Sequence, residues 1–331
     1  MITAIDSLIS SSIEPGGPGV AVAIAQNGVS IHAQGYGLAN LEWQSPITSK
    51  TVFRLASLTK PFTASAILLL EQQGKLRLND PITTYLPDYP MPGETITIEH
   101  LLTHTSGLKN YSDLPDLTES WYRTDHSPQE MCDLFAHVPL EFTPGTRFSY
   151  SNSGYALLGL MIETITGMSY EAFIYQNIFA PLEMTHSYYM KPETIIPQRA
   201  AGYMRTNDSY QYAPLSSITT AYASGGLGSS LDDLLRWDHA WRTSRLFNQE
   251  TQERITTPFT LASGESSTYG IGWFVERMME QRVAYHPGGA KGFSTLMVRF
   301  LDHPITLIVL ANQSNYDVES LAMKIGNALL S

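Results

Sequence analysis

The sequence predicts an α/β (α+β) fold: a central antiparallel sheet drawn from both ends of the chain and flanked by helices, interrupted by a mostly helical lobe. Three observations lead there. Segments of β-rich character fall at residues 19–37 and again between 269 and 313, and helical, loop-rich patterning fills most of the interval. The chain also has 331 residues, beyond the roughly 250–300 at which a single core stops growing. On this reading residues 1–56 and 218–331 form the α/β lobe, residues 57–217 the helical lobe, and the active site lies at their junction.

In chain order, Ile5, Leu8 and Ile9 follow Ile2 at helical spacing and stop at the breaker Pro15-Gly16-Gly17-Pro18, which makes the first element an amphipathic helix. GVAVAIAQNGVSIHAQGYG then alternates β-branched and small residues around Gln26-Asn27-Gly28, a strong hairpin signal because a tight turn between twisted strands needs positive φ at its centre. Helical segments follow in FTASAILLLEQQG, IEHLLTHT, PQEMCDLFAHV and GYALLGLMIETITG, with Gly74 and Gly167 at C-cap positions. Ser230, with Asp233 three residues on, marks another helix start. Strand character returns in YGIGWFVE, QRVAYHPGG, FSTLMVRFL and ITLIVLANQ. A closing helix carries Val318, Leu321, Ala322, Ile325 and Leu329 on one face.

Composition narrows the function classes. With 43% hydrophobic residues and 15% charged ones the chain can bury a core, and a net charge of -11 without any Lys/Arg block argues against a nucleic-acid partner. Cys132 stands alone and reads as a half-buried helix residue. The N-terminus lacks a basic, then apolar, leader pattern, and no stretch reaches the ~18 apolar residues of a membrane span. The expectation is a soluble protein, either cytoplasmic or the mature periplasmic or secreted form after leader removal. Oligomeric state is not legible.

A serine hydroxyl is a weak nucleophile until a base takes its proton and donors hold the oxyanion. The Gly-x-Ser-x-Gly elbow is absent, whereas Ser-x-x-Lys occurs at Ser57–Lys60 and at Ser106–Lys109, with about one match expected by chance. Context separates them. Ser57 precedes Pro61 and the run from Phe62 to Leu70, so it sits at a helix start, where i and i+3 share a face and the helix dipole favours an oxyanion and a depressed lysine pKa. Thr103-His104-Thr105-Ser106-Gly107 instead reads as a helix ending in a turn, which points Lys109 away and leaves Ser106 structural.

With FRLASLTKPFTA, GYGLAN, LLTHTSGL, PGTRFSYSNSGYALLG, IFAPLEM and HPGG in this order, the chain resembles the serine β-lactamase and penicillin-binding-protein superfamily, closest to its class C β-lactamase and DD-peptidase branch. The resemblance implies that Tyr150 of Tyr150-Ser151-Asn152 shares the general-base and leaving-group-acid work with Lys60, and that Asn152 binds Lys60 and a substrate amide. A second Tyr-x-Asn, at Tyr175, lies in a helix-like stretch and is set aside. A phenol suits this work beside a cation such as Lys60, which favours its phenolate. The usual Lys-Thr-Gly is replaced by His286-Pro287-Gly288-Gly289 on a strand. His286 would meet substrate with an imidazole that titrates near pH ~6.5. Gly288 would let substrate lie against the strand edge, and the amides of Ser57 and Gly289 would form the oxyanion hole.

Lys291 and Arg299 are candidate anion partners, with a solvated surface role as the plainer reading. Trp121, Tyr122, Tyr222 and Trp273 are candidates for the cleft wall. His100 and His104 are four apart on a helix, but no third ligand accompanies them, and neither metal nor cofactor is required. The resemblance implies a serine hydrolase working through an acyl-enzyme on a small-molecule or peptide substrate, with DD-peptidase or related D-amino-acid peptidase activity first. An esterase or a class C-type β-lactamase is an alternative, and so is a non-catalytic penicillin-recognising protein.

Overall fold

The Asn27-Gly28 turn shows how local chemistry starts this architecture. In a computed structural model describing residues 2–90, 93–115, 117–207 and 209–330, the two residues adopt φ of 54° and 73°, and Gln26 pairs with Val29 across the tight turn. The N-terminal part comprises α1 (Ile2–Ser10), β1 (Val20–Gln26), β2 (Val29–Tyr36), β3 (Leu38–Asn40), β4 (Ser45–Pro46) and β5 (Phe53–Arg54). A 3-10 turn at Ala56–Thr59 then runs into α2 (Lys60–Gln72). Helices α3 (Ile98–Leu102), α4 (Glu119–Arg123), α5 (Pro128–Ala136), α6 (Asn152–Thr166) and α7 (Tyr170–Ile174) follow. Next come β6 (Tyr188–Tyr189), β7 (Tyr203–Arg205), β8 (Tyr210–Tyr212), α8 (Tyr222–Gly225), β9 (Leu227–Ser229), α9 (Leu231–Arg242) and α10 (Gln249–Ile255). The chain closes with β10 (Phe274–Met278), β11 (Gln281–Ala290), β12 (Phe293–Phe300), β13 (Ile305–Ala311) and α11 (Val318–Leu330).

The main sheet has the order β10-β11-β12-β13-β1-β2, with each neighbouring pair antiparallel. It is thus drawn from both ends of the chain, which meet where Val22 pairs with Val309. Both faces are covered. Val20, Val22, Ile24, Leu307 and Val309 pack on the side of α1 and α11 with Ile5, Ile9, Leu321 and Ile325. Ala21, Ala23, Ile308 and Leu310 point the other way into the larger core with Leu234 of α9. Because both faces are buried, β13 is buried throughout and apolar at every position but Thr306, instead of alternating.

The inserted region is helical up to a π-turn at Tyr175–Phe179, but residues 188–212 are extended and turning, and β6 joins β5 and β9 in a small sheet. That sheet fixes the approach to Ser57. Phe53 and Arg54 pair with Ser229 and Gly228, and the Leu55 amide donates to the Leu227 carbonyl at 2.9 Å. The caps follow sequence expectation. Gly167 takes the left-handed conformation at φ 69°, Gly74 lies at φ 68° just past α2, and Ser230 Oγ accepts from the Asp233 amide at 3.3 Å.

Candidate active site

Ser57 lies on the 3-10 turn, and the continuous right-handed backbone through Thr59 and Lys60 brings positions 57 and 60 onto one face. Ala56, immediately before Ser57, is held at φ 50°, a strained backbone that costs a residue with a Cβ on the order of 1 kcal/mol. The Leu58 amide and the Thr295 hydroxyl, both donating to the Leu55 carbonyl at 3.2 and 2.8 Å, pin that turn.

Lys60 is fully buried and has no carboxylate partner among the described residues. Its Nζ donates to Asn152 Oδ1 at 2.8 Å and to the Ser224 carbonyl at 3.0 Å, and lies 3.3 Å from Ser57 Oγ. Burial holds its pKa well below 10.5. A neutral amine has two N–H bonds and one lone pair. Asn152 Oδ1 and the Ser224 carbonyl can only accept, so they consume both N–H bonds. In that form the lone pair is left for the Ser57 hydroxyl, whereas the ammonium form donates to Ser57 Oγ as a third acceptor.

Tyr150 packs over the same amine, with Nζ 4.7 Å from its ring centroid. Its hydroxyl is buried without a hydrogen-bond partner among the described residues, and burial raises its pKa, with a weaker opposing effect from Ser57. This corrects the electrostatic expectation for the pair. Burial outweighs what Lys60 offers a phenolate, so Tyr150 rests protonated.

His286 lies on β11 with its imidazole fully buried. Nδ1 is 2.7 Å from the Pro287 carbonyl, which can only accept, so Nδ1 carries the proton and Nε2 accepts from the Tyr269 hydroxyl at 2.9 Å. Burial, and secondarily Lys60, lower its pKa to about 3. The expected titration near pH ~6.5 is therefore corrected: the imidazole is neutral throughout the physiological range.

Residues 281–285 of β11 pair with β10, whereas His286–Ala290 pair only with β12 and leave a free edge toward Ser57. The two glycines there differ. A Cβ on Gly288 would sit 2.2 Å from the Leu55 carbonyl oxygen and 2.3 Å from Thr295 Oγ1, so that glycine lets the strand pack against the nucleophile turn. A Cβ on Gly289 would meet nothing within 4 Å, and the open side is there. Ser57, Asn152, Tyr122, Ser224, Gly289 and Lys291 line a cleft of about 210 Å³.

Several supporting groups carry no signal in the sequence. Asn152 Nδ2 donates to Ser112 Oγ at 3.1 Å, and its amide donates to Asn110 Oδ1 at 3.1 Å. Tyr111 donates to the Thr220 carbonyl at 2.7 Å, steadying the turn that presents Ser224. His104 packs 4.3 Å from the Tyr150 ring and accepts the Ser151 amide at Nδ1. The second Ser-x-x-Lys is structural: Ser106 Oγ accepts from the Leu108 amide, and Lys109 pairs with Glu141 at 2.7 Å. The other Tyr-x-Asn sits on the π-turn, where Asn177 donates to the Phe173 carbonyl.

Of the two candidate anion partners, Lys291 keeps its surface role and the surface reading of Arg299 is corrected. Lys291 is paired with both oxygens of Glu119 at 2.9 Å. Arg299 is 1% exposed, bonded to Asp238 at 2.8 Å and stacked against Trp237, Trp241 and Trp273, so neither solvent nor substrate reaches it. Among the aromatic candidates Tyr122 reaches the cleft, while Trp273 is core. His100 closes a capping box with Thr97, and no group of three or more metal-ligating side chains occurs among the described residues.

Comparison with known proteins bears on the family and the fold. The beta-lactamase family model matches residues 5–330. Penicillin-binding protein 4* of Bacillus subtilis (strain 168) is 33% identical over 93% of this chain and 71% of its own length. The chain spans 61% and 56% of the next two curated relatives it matches. Among solved structures, the octameric penicillin-binding protein homologue from Pyrococcus abyssi superposes with a TM-score of 0.84 at 28% identity, covering 99% of this chain and 77% of that one. The D-amino acid amidase from Ochrobactrum anthropi SV3, solved with L-phenylalanine, gives 0.84 at 25% identity and covers 99% of both chains.

Proposed function

The chain belongs to the beta-lactamase family, and from that premise we propose that it is a serine amide hydrolase, acting through an acyl-enzyme on D-amino-acid amides or peptides. The observation that carries the proposal is the partnering of Lys60, a buried amine placed between Asn152 Oδ1, the Ser224 carbonyl and Ser57 Oγ, which in its neutral form turns its lone pair to Ser57. Lys60 takes the Ser57 proton as Oγ attacks the substrate carbonyl. The amides of Ser57 and Gly289 hold the oxyanion. Tyr150 passes its phenolic proton to the departing nitrogen as the C–N bond breaks. Water then gives a proton to the Tyr150 phenolate, its oxygen attacks the ester, and Ser57 leaves as the alcohol with the proton held by Lys60.

The relatives' names favour D-configured substrates, and the neutral His286 favours an uncharged leaving group over a free terminal carboxylate. That places amidase or aminopeptidase chemistry ahead of carboxypeptidase chemistry. β-Lactam and simple ester turnover follow the same acylation step, and the non-catalytic reading finds no missing group. The test is hydrolysis of D- and L-phenylalanine p-nitroanilides, a D-alanyl dipeptide, a chromogenic cephalosporin and p-nitrophenyl acetate, with Ser57→Ala alongside. The expected result is D over L and loss of all turnover in the variant. Equal rates in variant and wild type refute the nucleophile.

A further inference from the structure

The cleft wall at the Lys291 end carries charge that the proposed chemistry does not use. Arg54, three residues before Ser57, lies between the Ser57 cleft and an adjoining cavity of about 400 Å³. Its hydrogen bond to Ser216 Oγ is long, at 3.5 Å, and its Nε is buried without a partner. Arg199 lines the same cavity. Among the described residues no carboxylate lies within 4.0 Å of either guanidinium. Burial and the like charge of Arg199 lower Arg54 to about 10, which leaves it ionised at neutral pH. Arg199 is exposed as a residue, yet desolvation lowers its pKa as well.

A half-buried guanidinium without a counter-ion is costly, because desolvation is not repaid. Elsewhere this protein supplies one, as Asp238 does for Arg299 and Glu119 for the more exposed Lys291. At Arg54 and Arg199 two like charges face a cavity instead.

We infer that Arg54 and Arg199 form an anion subsite that receives a carboxylate on the acyl portion of the substrate. The direction follows from the strand. The leaving group collects its proton at Tyr150, whose ring lies 6.4 Å from that of His286 at one end of the free edge. An acyl chain therefore runs the other way, past Gly289 and Ala290 to Lys291, where the arginine cavity opens. Two residues of strand span about 7 Å, the reach of a six-carbon diacid. Phe293, Tyr212 and Leu215 in the cavity wall suit the alkyl spacer. The substrate class is an amide whose acyl side carries a carboxylate several bonds from the scissile carbonyl. This rests on Ser57 as the reacting centre.

The test separates the two claims. In Ser57→Ala protein, binding of adipoyl-p-nitroanilide and of its uncharged counterpart hexanoyl-p-nitroanilide is measured by calorimetry. The adipoyl compound is expected to bind at least about tenfold tighter, as one partly screened charge-assisted contact provides. Adding Arg199→Gln, at an exposed position, abolishes that preference. Arg54→Gln does the same, with folding checked by circular dichroism because Arg54 lies in β5. Equal binding of the two compounds, no measurable binding of either, or a preference that survives both substitutions overturns the subsite. Turnover of p-nitrophenyl acetate by the wild type reports on Ser57 separately. Its absence with the adipoyl preference intact would sink the hydrolase and leave the anion subsite standing.

Discussion

Replacing Lys60 by Met keeps most of the length of the side chain and removes the nitrogen, and the structure assigns the result two independent readouts. The unfolded chain holds lysine protonated up to about pH 10.5, whereas burial keeps the native amine neutral from a pH well below that. Between the two pKa values the unfolded state binds one more proton, so wild-type stability rises with pH by about 1.4 kcal/mol per unit. Below the native pKa the slope vanishes and the penalty stays in force. Lys60→Met has no such group. Measured by urea denaturation as the pH is raised toward 10.5, wild type should gain stability relative to the variant at about 1.4 kcal/mol per pH unit. The variant also leaves Asn152 Oδ1 and the Ser224 carbonyl without a donor, at roughly 1–3 kcal/mol each, but that offset does not depend on pH. Activity should fall by about 10²–10⁴, the contribution of a positioned base. Parallel stability curves for the two proteins would show that native Lys60 is charged, and would remove the lone pair on which the mechanism depends.

Other expectations follow from the same contacts. Gly288→Ala places a methyl 2.2 Å from the Leu55 carbonyl oxygen and should cost about 1–3 kcal/mol together with most activity, while Gly289→Ala, at an open position, should leave the melting temperature nearly unchanged. Asp238→Ala strands the buried Arg299 guanidinium and should lower stability by about 3–5 kcal/mol in a urea titration; a loss under about 1 kcal/mol would mean water reaches that site. His286 binds its proton only near pH 3 in the folded protein against 6.5 unfolded, so stability from it is complete above pH 6.5 and is lost as pH falls toward about 3. Urea titrations of His286→Asn across that range should show a slope shallower by up to about 1.4 kcal/mol per pH unit, and an unchanged slope would place the imidazole in contact with water.

What the sequence determined by itself is the set of features decided within a few residues. The Asn27-Gly28 turn forms because those two residues tolerate positive φ, Ser230 caps because its hydroxyl reaches an amide three residues on, and Ser57 faces Lys60 because one helical turn brings them together. Tertiary structure decided the rest. Asn152 and the Ser224 carbonyl reach Lys60 across 92 and 164 residues of chain, and a backbone carbonyl has no sequence signature at all. Arg299 looks like a surface charge by type and lies in a tryptophan cage, while Arg54 looks ordinary and has no counter-ion among the described residues. The protonation states turned on burial, which raised Tyr150 and lowered Lys60 and His286. Residue type sets only the starting pKa. The cost of desolvation is a property of everything packed around the group, and that is known only once the chain has folded.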